Sequence, residues 1–126
     1  MHGRLSAVLF STCLAACSST GAVTHTTTNR YVTIPPDLAR DAAKVTDHAT
    51  APPRSRTIGP VTATACQYAD FDPLPTREYA LALLKRSAVA NGANGLVDVT
   101  YSESHADLLK NCWENIVASG TAIATN

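Results

Sequence analysis

Four cysteines, four histidines and several closely spaced carboxylates are the side chains of this 126-residue chain able to form covalent bonds, bind metals or move protons. Cys17 follows Leu14-Ala15-Ala16 directly. Small residues there give a signal peptidase an extended, unhindered backbone, and a thiol at that point can be alkylated by a diacylglycerol. Cys66 and Cys112 are candidates for a disulfide. His105 between Glu103 and Asp107, and Asp70 near Asp72, could form a hydrolytic pair. Neither group is accompanied by a nucleophile elbow, a glycine-rich phosphate loop or a metal motif, so both read as solvated surface and no catalytic residue is expected. His25, His48 and His105 are scattered without ligand spacing, and two thiols alone do not complete a tetrahedral shell, so no metal site is expected.

The segment before Cys17 gives that thiol its meaning. His2 and Arg4 make a short basic start and Leu5 to Ala16 an apolar run, which falls short of the roughly twenty residues that cross a bilayer as a helix. Residues 1–16 therefore read as a secretory signal ending at a cysteine. The arrangement resembles the bacterial lipoprotein box, with Cys17 as the lipidated first residue of the mature chain. Its covalent diacylglycerol and N-acyl chains would hold where a single acyl chain binds reversibly. The alternative is an ordinary secretory signal cut near Ala16. Cys13 is a poorer acceptor, since Phe10, Ser11 and Thr12 precede it. Ser18 rather than Asp after the cysteine looks, in such lipoproteins, like an outer-membrane destination.

With Cys13 removed and Cys17 lipidated, Cys66 and Cys112 remain. An even pair in an exported chain reads as a disulfide, and a free reactive thiol pair is the alternative. The 10 basic residues balance 10 acidic ones, which argues against nucleic-acid binding because displacing phosphate counterions needs a basic surplus. At 45% hydrophobic residues the chain can still build a core.

The elements that would position these groups divide at residue 56. Residues 17–56 read as a lipidated cysteine followed by a Thr- and Pro-rich, mildly basic, flexible tether. Thr24, Thr26, Thr27 and Thr28 show no apolar period, Tyr31–Ile34 suggests a short strand stopped by Pro35-Pro36, and Leu38, Ala42, Val45 and Ala49 give a thin helical stripe. If Ser18 to Arg56 were all unstructured, their mean span would be about 35 Å and their full reach about 130 Å. Residues 57–126 read as the packed domain. Ile58–Ala63 suits an edge strand because of Gly59 and Pro60. Thr76 caps a helix whose apolar face is Ala80, Leu81, Leu84, Ala88 and Val89, ending at Asn91-Gly92. Leu96–Tyr101 alternates as a half-buried strand with Val97, Val99 and Tyr101 on one face. Ser102–Asn111 reads as a polar loop. Cys112–Ile123 is a long final strand whose small Ala118, Gly120 and Ala122 would admit the helix, with Trp113 as cover for the bridge. The fold class expected is α+β: a small disulfide-stapled sheet of three to four strands with one packed helix, preceded by the tether.

This order of pieces resembles the RcsF family of outer-membrane lipoproteins, envelope-stress sensors of the Rcs phosphorelay. The likeness rests on the lipoprotein box, the proline-marked tether, Ile58-Gly59-Pro60-Val61 running to Cys66-Gln67, Ala90-Asn91-Gly92-Ala93-Asn94, and Cys112-Trp113 running to Ser119-Gly120-Thr121-Ala122. It implies a sensor without chemistry, anchored in the outer-membrane lipid leaflet. Its expected partners are outer-membrane β-barrels with their assembly machinery and an inner-membrane inhibitor of the phosphorelay; no small-molecule substrate or nucleic acid is implied. The family's domain holds two disulfides, one matching Cys66 with Cys112; the other, falling near Thr100 and at Ala118, has no counterpart here. A structural or accessory lipoprotein of an envelope assembly or secretion complex would share these features without signalling. Replacing Cys17 with Ala is expected to release the protein from membrane fractions; retention after fractionation would place the anchor elsewhere.

Overall fold

A computed structural model describes residues 24–28, 34–107 and 111–126. The expected signal segment 1–16, Cys17 as the expected lipidation site, and Tyr31 to Thr33 of the suggested short strand lie outside them. The elements are β1 (Thr24–Thr28), α1 (Pro36–Ala42), β2 (Thr46–Asp47), β3 (Arg56–Gln67), α2 (Arg77–Ala90), β4 (Gly95–Asp107) and β5 (Cys112–Ala124). Five strands form one mixed sheet in the order β1-β3-β5-β4-β2. The three long strands pair antiparallel around β5, and the two short ones add parallel at the edges. The fold is thus α+β, with a Cys66–Cys112 disulfide.

Helix α2 forms as its sequence requires. The Thr76 hydroxyl accepts from Tyr79 N at 3.1 Å, which satisfies one of the amides that a helix start leaves without a partner. Glu78 lies in the positively polarised first turn, and Gly92, at φ 78°, takes the left-handed conformation after the last turn. The buried face carries Ala80, Leu83, Leu84 and Ala88, packed with Val61, Ala63 and Ala65 of β3 and Ile116, Ala118 and Ala122 of β5 in a single core. Close approach depends on the small residues of β5: a Cβ on Gly120 would sit 3.7 Å from Leu84 Cδ2 and 3.2 Å from the Val97 carbonyl oxygen.

The packed region begins upstream of Thr57. α1 starts on Pro36, whose missing amide costs nothing at that position, and Leu38 and Val45 are 2% and 3% exposed within the core. Part of the stretch read as tether therefore carries β1, α1 and β2. The thin stripe of Leu38, Ala42 and Val45 is sufficient because α1 lies against α2 rather than alone in solvent.

Three strand expectations change. Only the Arg56–Val61 half of β3 is an edge; from Thr62 to Cys66 it is paired on both sides, and Pro60 falls in the singly paired half, where its missing amide breaks no ladder bond. Strand β4 does not stop at Tyr101. Ser102 to Asp107 continue the ladder against β5, since backbone pairing in a hairpin arm needs no apolar alternation. A register shift between Val97 and Thr100, with Asp98 at φ 55°, is a bulge that resets the alternation. It sends Leu96, Val99 and Tyr101 to the helix side. Val97 is buried outside that core.

The junction of α1 with α2 is electrostatic at its rim. Arg86 Nη2 reaches Asp37 Oδ2 at 2.8 Å and its Nε reaches Asp41 Oδ2 at 3.2 Å, while Lys44 Nζ meets Asp41 Oδ1 at 3.1 Å. The hydrogen bond from Arg86 holds Asp37 below the usual carboxylate value of 3.8, and that from Lys44, with the charges of Lys44 and Arg86, does the same for Asp41. A carboxylate whose pKa falls on folding contributes stability above its unfolded pKa, and that contribution is lost as the pH drops through the folded value. Acidification below the ordinary carboxylate range is therefore expected to lower hydrogen-exchange protection of the Ala39 and Ala43 amides in α1 before that of α2. In Arg86→Ala the Ala39 and Ala43 protection should already be reduced at neutral pH; unchanged protection would show that the apolar contacts alone hold α1.

Candidate functional site

Most of the chemistry-bearing residues that are described gather at one end of the sheet, where β3 ends and β5 begins; His48 lies at the other end, beside Gly95. Cys66 and Cys112 are bridged, with Cα atoms 5.6 Å apart, and are 0% and 3% exposed. The bridge spans 46 positions and encloses α2 and β4. In the loop-entropy account such a ring contributes on the order of 4 kcal/mol. Trp113 does not cover it. Successive strand residues project to opposite faces, and the indole beside Cys112 is 58% exposed.

The loop from Tyr68 to Pro75 is pinned to this end. Gln67, itself buried, donates through Nε2 to the Asp72 carbonyl at 2.7 Å; Ala69 N donates to Asp72 Oδ2 at 3.2 Å, and Asp72 N to the Ala69 carbonyl at 3.0 Å. Asp72 therefore shapes the loop, and Asp70 sits beside it with its carbonyl accepting from Gln67. The consequence is outward presentation of apolar groups: Phe71 is 86% and Leu74 64% exposed. With Trp113, three of the four large hydrophobic residues exposed among the described ones lie at the disulfide end; Ile34 is the fourth.

The carboxylate–histidine group is rearranged by the sheet. His105 Nδ1 lies 2.6 Å from Glu114 Oε2, its cross-strand neighbour. Glu103 instead binds Arg77, whose Nη2 is 2.9 Å from Glu103 Oε1 and whose guanidinium carbon stands 5.4 Å from the Tyr101 ring centre. Burial, and then the charge of Asp47, push the Tyr101 hydroxyl above its usual pKa, with Arg77 opposing. Glu114 was invisible as His105's partner in the sequence, where a strand pairing across nine positions leaves no local mark. Leu74, Pro75, Glu103, His105, Glu114 and Ile116 border an open cleft of about 180 Å³, below the ~300 Å³ at which pockets begin to enclose a small molecule. Charge pairs on a shallow surface suit contact with a macromolecule better than enclosure of a substrate.

Among the described residues no three His, Cys, Asp or Glu side chains group to hold a metal ion, and no helix is long and apolar enough to cross a membrane. No family model matches the chain, and no curated protein matches it. Cys66→Ala and Cys112→Ala are expected to lower the melting temperature equally under non-reducing conditions, by on the order of 15–30 °C for a domain of this size. The double variant should lose no more than either single one; unequal losses in calorimetry would mean that one cysteine matters outside the bridge.

Proposed function

We propose that this chain is an outer-membrane-anchored lipoprotein that senses envelope stress and signals to the Rcs phosphorelay through protein–protein contacts, without chemistry of its own. The observation that carries this reading is the outward presentation of Phe71 and Leu74 on a loop fixed by Gln67 and Asp72. Apolar side chains held rigidly in water are a feature of contact surfaces, because a partner gains their burial without the entropic cost of ordering the loop. The anchor expected at Cys17 and the RcsF-like order of motifs supply the setting: the lipid leaflet for the anchor, outer-membrane β-barrels and their assembly machinery as resting partners, and the inner-membrane inhibitor as the target on damage.

The pairing of β1 sharpens this reading. Seven positions separate Cys17 from Thr24, a reach of at most about 25 Å. An anchored domain with β1 in its sheet stays beside the outer membrane, within range of barrels. Reporting across a wider gap requires β1 to leave the edge of β3.

Deleting the gene and exposing cells to outer-membrane damage is expected to abolish induction of the phosphorelay, and Phe71→Ser with Leu74→Ser should reduce it while leaving the amount of protein unchanged. Full induction in the deletion strain would remove the sensor reading and leave the accessory lipoprotein.

A further inference from the structure

Strand β4 keeps one long edge without a partner. It runs from Gly95 to Asp107, yet β2 pairs only with Gly95 and Leu96, and the next bond on that side, from His48 N to the Leu96 carbonyl at 2.9 Å, is the last. From Thr100 to Asp107 the register against β5 is unbroken, and among the described residues no strand lies on the other side of this stretch. Alternate amides and carbonyls there point away from β5 with no ladder to join. Such an edge is a template for a further strand, and proteins blunt it with proline, lysine or a bulge. The bulge at Asp98 lies before this stretch, and neither proline nor lysine occurs within it.

The charges on the edge select its partner. Glu103 and His105 follow Tyr101 at two-residue steps, so all three project to the helix side. Both side chains are open to solvent, 56% and 89% exposed, although Glu103 Oε1 holds Arg77 Nη2 at 2.9 Å and His105 Nδ1 lies 2.6 Å from Glu114 Oε2. An antiparallel copy of the same strand, centred on Ser104, sets Glu103 opposite the second copy's His105 and His105 opposite the second copy's Glu103. Centring on Glu103 would oppose two carboxylates. Centring on Ser102 would set Glu103 against Tyr101 and His105 against Val99, with no ion pair in either case. Opposite charges directly across a strand pair are favourable and like charges are not, so the edge is complementary to itself in one register.

We infer that two copies of this chain associate through β4, antiparallel about a two-fold axis at Ser104, so that their two sheets become one. Tyr101 to Asp107 of each copy supply the ladder. A cationic imidazole donates from both ring nitrogens, one to Glu114 of its own chain and the other to the Glu103 opposite. Arg77, Glu103, the second copy's His105 and the second copy's Glu114 then form a row of alternating charge, and symmetry provides it twice. A single strand pairing is small beside the roughly 1,600 Å² of a standard interface, so the association follows concentration rather than being permanent. The inference is independent of the sensor reading, since it uses neither Cys17 nor Phe71. An extended segment of a different protein is the rival occupant of the same edge.

The test is sedimentation equilibrium of the full chain in detergent, across a concentration series in mildly acidic buffer, where imidazoles are cationic. A monomer–dimer equilibrium is expected for the parent. His105→Glu and Glu103→Lys each oppose like charges and should weaken the dimer roughly tenfold. An equimolar mixture of the two variants should recover the parent's affinity as a heterodimer, because each position then meets its opposite charge; a variant that merely failed to fold would not be rescued. On mild oxidation Ser104→Cys should form covalent dimers above the parent's background. Ser102→Cys should not, since the two substituted positions would lie about 14 Å apart along the strands. A parent that stays monomeric throughout, with Ser104→Cys cross-linked no more than Ser102→Cys, would overturn the inference and leave the edge to another protein's strand. A mixture that associates no better than the single variants would overturn it as well.

Discussion

The covalent link between Cys66 and Cys112 is the constraint on which the domain depends. A chain of this length buries a small core, and many of its core residues are alanines, which contribute little apolar area each. The bridge compensates by restricting the unfolded chain, and its placement matters as much as its presence. It ties the end of β3 to the start of β5, so that α2 and β4 are confined to a ring whose two ends already lie side by side in the sheet. The β3–β5 pairing and the packing of α2 above it are then largely local consequences within that ring.

Small side chains do the complementary work inside. Ala63, Ala65, Ala118 and Ala122 form a flat floor on which Leu83 and Leu84 of α2 rest. Larger residues there would lift the helix and expose Leu38 and Val45, which lie in the same core. At the far end, Gly95 shows the same economy of space: a Cβ there would stand 2.9 Å from Ile123 Cγ1 and 3.2 Å from His48 Cδ2. Any side chain there would force Ile123 to shift. The two faces of the sheet consequently differ in kind. One is alanine-floored and covered by a helix; the other carries Thr62, Thr64, Asn115 and Ser119 together with Val117, with Thr64 and Asn115 buried.

Much of the helix was legible because its signals are local. Thr76, Glu78 and Gly92 act within one turn of their own positions, and the apolar stripe of α2 needs no partner to be seen. The pairing of Cys66 with Cys112 was legible by count once Cys13 and Cys17 were set apart. The apolar floor of β5 followed from its alternation. What escaped was set by residues distant in the chain: the outward turn of Trp113, the continuation of β4 through Ser102–Asp107, the burial of Leu38 and Val45, and the partnership of His105 with Glu114 rather than with Glu103. Gln67 and Asp72, which fix the loop bearing Phe71, also carried no signal, because their hydrogen bonds exist only once β3 ends where it does.

The amino-acid sequence by itself determined the class of fold, the principal helix with its caps, the candidate anchor at Cys17 and the pairing of the two domain cysteines. These depend on periodicity, steric limits of individual residues and simple counting, all of which operate over short distances. Tertiary structure alone decided how far upstream of Thr57 the packed domain extends, which strand segments are edges, and which polar residues share a face. The bulge at Asp98 illustrates why. One left-handed residue shifts the alternation of everything before it relative to everything after it, and whether that shift occurs depends on the register against β5, a property of two strands together.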